Sequence, residues 1–201
     1  MTCDVLGKIL MAFSKRRSDW KPAPHDARVK PWKHEILRVQ TEELRRELKE
    51  LQPSLNIPRS LDILFQAGLL TYEISDDDDD ELQSVHALTR GRHIKFRQSE
   101  FDALLNPTDS KFNRVRFTAP HEICHALKHH HIGQGGLARV LAPRYPYESA
   151  ECEANAFSAH LLMPISAVKQ ANYDPNRISE ICQVSWDAAS NRSEMVKSKG
   201  W

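Results

Sequence analysis

The chain has 201 residues, of which 40% are hydrophobic, and its formal net charge is +1 at pH 7. This length and apolar content suffice for one domain with a sizeable core, and the near-neutral charge argues against a protein that binds nucleic acid over its whole surface. The cysteines form no C-x-x-C pair, which favours free thiols in a reducing, cytoplasmic setting over a disulfide framework: Cys3, Cys124, Cys152 and Cys182.

Residues 1–33 are interpreted as a basic N-terminal arm, extended and partly flexible. Residues 15–33 are basic, punctuated by prolines and poor in aliphatic side chains, with Trp20 and Trp32 as large anchors. The apolar run at residues 5–13 is too short to span a membrane and precedes its basic cluster, which is the reverse of a secretory signal. We expect a tail pinned by its tryptophans, with docking to an acidic partner or nucleic acid as the alternative.

Two helices are predicted at the start of the domain, which we assign to residues 34–201. Apolar residues recur at helical spacing from Ile36 to Leu51 and predict an amphipathic helix. A shorter helix, Arg59–Ala67, is closed by Gly68.

Three strands are predicted next, the last two joined by a turn around Gly91: Leu69–Ile74, Ser84–Thr89 and His93–Arg97. The charged His93–Arg97 strand is the candidate edge at which another extended chain would add, unless its charges only protect a sheet margin. The acidic run Asp76–Asp80 lacks the glycine and distal glutamate of a calcium loop, so we expect a solvated, mutually repelling loop.

The segment His121–His125 reads HEICH. Two histidines four residues apart share a helix face and can bind one zinc ion, and Glu122 between them is placed to act as general base on an attacking water. This is the pattern of a metalloprotease, although a histidine-rich chain can also produce it by coincidence. Because Pro120 precedes the motif, we expect the helix either to begin near Thr118 as N-cap or to kink ahead of the histidines.

A second helix is predicted from Glu151 to the stop at Pro164. Glu151 and Asn155 share one face of it, whereas Glu153 points elsewhere. Glu151 is therefore the predicted third zinc ligand, and Asn155 would accept a hydrogen bond from the second ring nitrogen of a ligating histidine.

Several other residues are candidates for contact with the metal or the substrate. His129, His130 and His131 are interpreted mainly as a polar helix end, with a metal role for His129 as the alternative. The loop from residue 132 to 149 is long enough to cover a cleft. The candidate donors to a developing oxyanion or contacts for a substrate are Tyr145, Tyr147 and His160.

The tail from Ile178 to Val196 predicts two short helices with Ser185 near the second start. The spacing is compatible with a helix-turn-helix, but few polar groups are available for a DNA groove, so we favour two helices that close the core. On that basis Arg192→Ala and Lys197→Ala should have little effect on cleavage of a substrate.

Two segments in order, Arg116–Leu127 and Glu151–Pro164, resemble the ImmA/IrrE-type metallopeptidase domains of bacteria and their mobile elements. The likeness extends over about residues 55–197. It implies a zinc-dependent, gluzincin-like site with ligands at His121, His125 and Glu151 and a base at Glu122. It also implies a typical task, the cleavage of a helix-turn-helix repressor in a stress, phage or defence response.

These observations together predict an α+β, zincin-like metallopeptidase domain with a small three-stranded sheet packed on helices. The predicted cofactor is Zn²⁺ and the predicted partner is a protein substrate, a transcriptional repressor, with direct nucleic-acid contact not favoured and no membrane association. The alternative is a zinc-containing DNA- or protein-binding regulator without peptidase activity. The feature that separates the two is Glu122, because a purely structural zinc site has no need of that carboxylate.

Overall fold

The structure, a computed structural model, describes residue 29 and residues 33–82, 85–129 and 148–201. Most of the arm predicted for residues 1–33 therefore lies outside the described residues. The same holds for most of the loop from residue 132 to 149, for His130 and His131, and for Tyr145 and Tyr147. Val29 is buried, and its N–H donates to the carbonyl of Glu148 over 2.6 Å.

The described residues form a mixed α+β fold, as predicted. Its three strands are β1 (Thr71–Ser75), β2 (Ala87–Arg90) and β3 (His93–Arg97). Its helices are α1 (His34–Glu47), α2 (Ile57–Gln66), α3 (Gln98–Leu105), α4 (Phe112–Cys124), α5 (Ala150–Leu162), α6 (Ile165–Gln170), α7 (Pro175–Cys182) and α8 (Trp186–Lys199). A 3₁₀ turn spans Asp80–Leu82, and a π-helix, His125–His129, continues α4. No helix in the described ranges combines the length and apolarity needed to cross a membrane.

The sheet has the order β1-β3-β2, so the prediction that His93–Arg97 is an edge strand was wrong. β3 pairs in parallel with β1 and antiparallel with β2. Ile94 and Phe96 on one face of β3 are buried in the core, which suits a central strand. Among the described residues the two ends of the sheet are β1 and β2.

The charged face of β3 is neutralised by the chain that crosses from β1 to β2. The ammonium group of Lys95 lies 3.1 Å from the carboxylate of Asp79 and 2.8 Å from that of Glu81. The carboxylate of Asp77 accepts a hydrogen bond from the N–H of Ser99, in the first turn of α3. The acidic run is solvated as predicted, but Lys95 and the start of α3 hold it in place and offset the repulsion among its carboxylates.

The first two helices depart from their predicted bounds at the ends. α1 stops at Glu47, and Leu51 is 81% exposed, so the extension of the first helix to Leu51 was wrong. α2 begins two residues before the predicted start, because Asn56 caps it by accepting from the N–H of Arg59 and Pro58 is tolerated in a first turn. Gly68 follows α2 with φ +68°, a conformation that glycine adopts without strain.

Helix α4 begins at Phe112 and passes through Pro120 without ending, so a start near Thr118 was wrong. The hydroxyl of Thr118 instead donates back to the carbonyl of Arg114 over 3.2 Å. The proline ring lacks an N–H, and one backbone bond is lost a residue ahead of His121. Cys124, at the end of α4, is fully buried.

The core lies where α5 packs between α1 and α4, and the two tail helices close one side of it. Ala154, Phe157 and Leu161 of α5 are completely or almost completely buried. Ile178 and Cys182 of α7 and Val196 of α8 belong to the same apolar cluster. Ser185 caps α8 by accepting from the N–H of Ala188. The tail therefore closes the core, as the favoured interpretation predicted.

Arg192 has a structural role in the tail, because it is only 2% exposed and donates from Nε to the carbonyl of Met163 over 2.9 Å. We expect Arg192→Ala to lower the free energy of unfolding by about 2 kcal/mol or more, because it removes buried contacts and leaves a buried carbonyl without its donor. Lys197, which is exposed, is the matched control, and Lys197→Ala should change stability by less than about 0.5 kcal/mol. Urea unfolding of both variants measures the difference, and equal stabilities would contradict this role of Arg192.

Candidate metal centre

Three predicted side chains converge at the junction of α4, the π-helix and α5. The Nε2 atom of His121 lies 3.0 Å from Nε2 of His125 and 3.0 Å from Oε2 of Glu151. Nε2 of His125 lies 3.3 Å from Oε1 of Glu151. These three residues are the group of possible metal ligands found among the described residues, with their ligand atoms all within 4.8 Å of one another.

The geometry and donor types of this group fit a zinc ion. Ligand atoms about 2.1 Å from a tetrahedral centre are separated from each other by about 3.4 Å, close to the spacing of the three atoms here. Two imidazoles and one carboxylate are a ligand set typical of catalytic zinc, which keeps its fourth position for water or substrate. Each of the three residues is partly exposed, so small molecules can reach the group.

Both histidine rings are held from behind by a second contact. Nδ1 of His121 lies 2.9 Å from Oδ1 of Asn155, the partner that the sequence predicts. Because the amide oxygen only accepts, Nδ1 carries a proton, which leaves Nε2 as the ring atom available to a metal. Nδ1 of His125 lies 2.9 Å from Nδ1 of His129, which is buried at the end of the π-helix.

Glu122 does not join the ligand group but is fixed beside it. The hydroxyl of Thr89 in β2 donates to Oε2 of Glu122 over 2.6 Å, a short bond of the kind formed by a charged acceptor. One oxygen of the carboxylate is thereby held by the sheet, which limits the directions in which the other oxygen points. A carboxylate restrained in this way next to two candidate metal ligands is suited to proton transfer.

Glu153 points away from the centre, as its position on the helix predicts. Its carboxylate forms a buried ion pair with Lys128 of the π-helix, and both side chains are almost entirely excluded from solvent. This pair connects the helical segment that carries His125 to the helix that carries Glu151. The Lys128–Glu153 pair therefore supports the spacing between His125 and Glu151 from outside the ligand group.

The contacts within the group shift the pKa values of its members. Hydrogen bonds from His121 and His125 hold the pKa of Glu151 far below its ordinary value. Burial acts to lower the pKa of His121, but the bond with Glu151 and the charge of Glu122 outweigh burial and raise it. Burial raises the pKa of Cys124 to about 12, which keeps its thiol protonated, so Cys124 packs as a small apolar side chain.

His160, predicted as a possible oxyanion contact, lies away from this group. It is nine residues after Glu151 on the same helix, a rise of about 13 Å. Its ring is 1% exposed, and its Nε2 lies 3.2 Å from Nδ1 of His34 in α1. Burial lowers the pKa of His160 to about 2, so the ring is neutral. This placement argues against a contact between His160 and a substrate bound at the centre. The other candidates for that role, Tyr145 and Tyr147, lie outside the described residues.

Three contributors to the centre were missed or undervalued at the level of sequence. His129 is four residues after His125, and that spacing was the available signal for it. Thr89 and the Lys128–Glu153 pair carry no sequence signal, because each contact joins elements that are distant in the chain.

Comparison with known proteins identifies the family of this domain. The family profile described as IrrE N-terminal-like domain, Peptidase M78, matches residues 93–194, just over half of the chain. The match covers β3, the helix of the HEICH segment, the helix of Glu151 and most of α8. Searches of curated proteins and of solved structures gave no significant match. The chain therefore belongs to the IrrE N-terminal-like family of metallopeptidase-type domains.

Proposed function

We propose that this protein is a zinc-dependent endopeptidase in which His121, His125 and Glu151 hold the metal and Glu122 is the general base. The observation that carries the proposal is the pairing of a complete three-ligand group with a fourth, separately anchored carboxylate. A structural zinc site closes its coordination with protein ligands and has no use for such a carboxylate.

The chain's own residues would divide the work of peptide hydrolysis. Bound zinc supplies Lewis acidity for the carbonyl and the attacking water. Glu122 removes a proton from that water and delivers it to the departing amine as the peptide bond breaks. Asn155 and His129 hold the two rings in the orientation that binding requires.

The substrate chain would lie along β2, rather than along β3 as the sequence suggested. β2 is an end strand in the described sheet, and its Thr89 contacts Glu122 directly. An extended segment added to this strand would gain backbone hydrogen bonds and would pass the base at the same time. Specificity would then depend on β2 and on the cleft beside it.

The substrate class we propose is a helix-turn-helix transcriptional repressor, cleaved in a stress, phage or defence response in a reducing cytoplasm. This finer assignment rests on the family resemblance described above. The test is co-expression of the protein with each transcriptional regulator encoded next to its gene, followed by mass spectrometry of the products. We expect one regulator to be cut at a defined bond, and a chelator or His121→Ala to prevent the cut. If none is cut while a denatured general substrate such as casein is, the repressor assignment is wrong and the peptidase assignment stands.

The alternative, a zinc-containing regulator that binds DNA or a protein without cleaving it, is less well supported. The tail helices are committed to the core, and Arg192, one of the few basic groups in that segment, is buried. Tight, sequence-specific DNA binding by the purified protein, with no cleavage of any neighbouring regulator, would favour this alternative.

Thr89 provides a test of how the base is positioned. Thr89→Val keeps the shape of the side chain but removes the donor to Glu122, so we expect kcat/KM for the cleaved regulator to fall about tenfold, the scale of a hydrogen bond to a charged group. Thr89→Ser should restore most of the activity because it retains the hydroxyl. Zinc content should be the same in all three proteins. A Thr89→Val protein as active as the parent would show that this bond does not position Glu122.

A further inference from the structure

A cavity of about 860 Å³ opens beside the metal centre, between α4, α5 and α8. Its volume lies in the range of about 300–1,000 Å³ that is usual for ligand sites. Most of its wall is apolar and is formed by Phe117, Ala156, Ala159, Met163, Ala188 and Met195. None of the zinc ligands or Glu122 lines it, so it is distinct from the site of chemistry.

One end of the cavity adjoins the candidate ligands. Thr118 and Asn155 both line it. Thr118 stands one helical turn before His121, and Asn155 one turn after Glu151, so each lies about 5 Å along its helix from a ligand and on the same face. Asn155 also contacts the ring of His121 directly. The cavity therefore begins within one helical turn of two candidate ligands.

The charges in the wall define which side chain fits. Among the described residues, two arginines and no acidic residue line the cavity. Arg114 is already paired with both oxygens of Glu100, at 2.6 and 2.9 Å, and Arg192 is buried with its Nε bonded to a backbone carbonyl. A lysine or arginine of a substrate would find no counter-charge in this wall and would meet the like charge of Arg192. An apolar side chain of a substrate would contact the apolar part of the wall.

We infer that this cavity is a specificity pocket for a large apolar or aromatic side chain adjoining the scissile bond, and that it discriminates against basic side chains. The inference rests on the proposed peptidase function and narrows its substrate class. An aromatic ring buries more apolar surface than a methyl group does, so selectivity for the ring should be about tenfold or more.

The test uses binding, not cleavage, so that it does not depend on finding the natural substrate. Three peptide hydroxamates that differ only in the side chain next to the hydroxamate, benzyl, methyl or aminobutyl, are titrated into the zinc-loaded protein by calorimetry. We expect the benzyl compound to bind at least about tenfold more tightly than the methyl compound. The aminobutyl compound should bind no more tightly than the methyl one.

Two variants assign the preference to this cavity. Ala156→Leu fills it from α5 and should reduce the benzyl-to-methyl ratio below about threefold, and Met195→Ala, which alters the opposite wall, should also change the ratio. Ser166→Leu adds the same side chain at an exposed position of α6 outside the cavity and is the matched control. Melting curves show whether each variant is folded.

The outcomes separate this inference from the function on which it rests. Equal affinities of the parent protein for the benzyl and methyl compounds, or a ratio unaffected by both cavity variants, would overturn the specificity pocket alone. Failure of all three compounds to bind a protein that carries zinc would overturn the proposed function, because a catalytic metal must accept a ligand at its open position.

Discussion

We expect Glu122→Gln to lower the rate of cleavage of the regulator identified by co-expression at least about a hundredfold, the usual scale for a missing acid–base group. The amide has nearly the same shape as the carboxylate and can still contact Thr89, but it cannot take a proton from water. The measurement is single-turnover cleavage at equal protein concentrations.

Zinc content and melting temperature are the controls for this variant. Both should match the parent, since Glu122 is outside the ligand group. A Glu122→Gln protein that cleaves at the parental rate would remove the basis for the peptidase mechanism. Loss of both zinc and activity would instead make Glu122 a ligand.

Removal of Glu151 should abolish most of the metal binding. The purified parent should carry about one zinc per chain, and Glu151→Ala should reduce occupancy to a small fraction, because two histidines alone leave the centre short of its third protein ligand. Elemental analysis after dialysis against a weak chelator measures the loss.

Glu148→Ala is the matched control, since Glu148 is also close to the start of α5 but is not part of the ligand group. It should retain the metal. If Glu148→Ala loses zinc and Glu151→Ala keeps it, the third ligand has been assigned to the wrong carboxylate.

The relations between site residues on the same helix could be predicted from the sequence. The helical repeat relates His121 to His125 and Glu151 to Asn155, and it directs Glu153 to the opposite side. The structure brings His121, His125, Glu151 and Asn155 together and pairs Glu153 with Lys128. Local periodicity settles such relations because the backbone of a helix fixes the angle between residues three or four apart.

The relations between distant elements were not accessible in the same way. His93, Lys95 and Arg97 gave β3 the charged pattern of an edge, although Lys95 faces a crossing loop whose carboxylates neutralise it. Thr89 and Glu122 are 33 residues apart and meet because β2 lies beside α4. Strand order depends on non-local pairing, which a single sequence does not encode in any short pattern.

Proline in α4 illustrates a different limit. Propensity places a helix boundary near Pro120, yet the helix runs from Phe112 through it to Cys124. The cost of about 3 kcal/mol for an internal proline is offset here by tertiary packing, because Val115, Ala119 and Ile123 are all buried in the core. Tertiary packing overrides the low helix propensity of proline when the helix is this deeply buried.

The buried pair of Lys128 and Glu153 restricts how this centre can change in evolution. Loss of either partner alone would leave an uncompensated charge in the interior, at a cost of about 3–5 kcal/mol, whereas replacement of both by apolar side chains can be nearly neutral. Each single substitution on the way from the ionic to the apolar pair therefore destabilises the fold, although the two end states are comparable in stability. Homologous chains should accordingly divide into lineages that have both charges and lineages that have neither, with few intermediates.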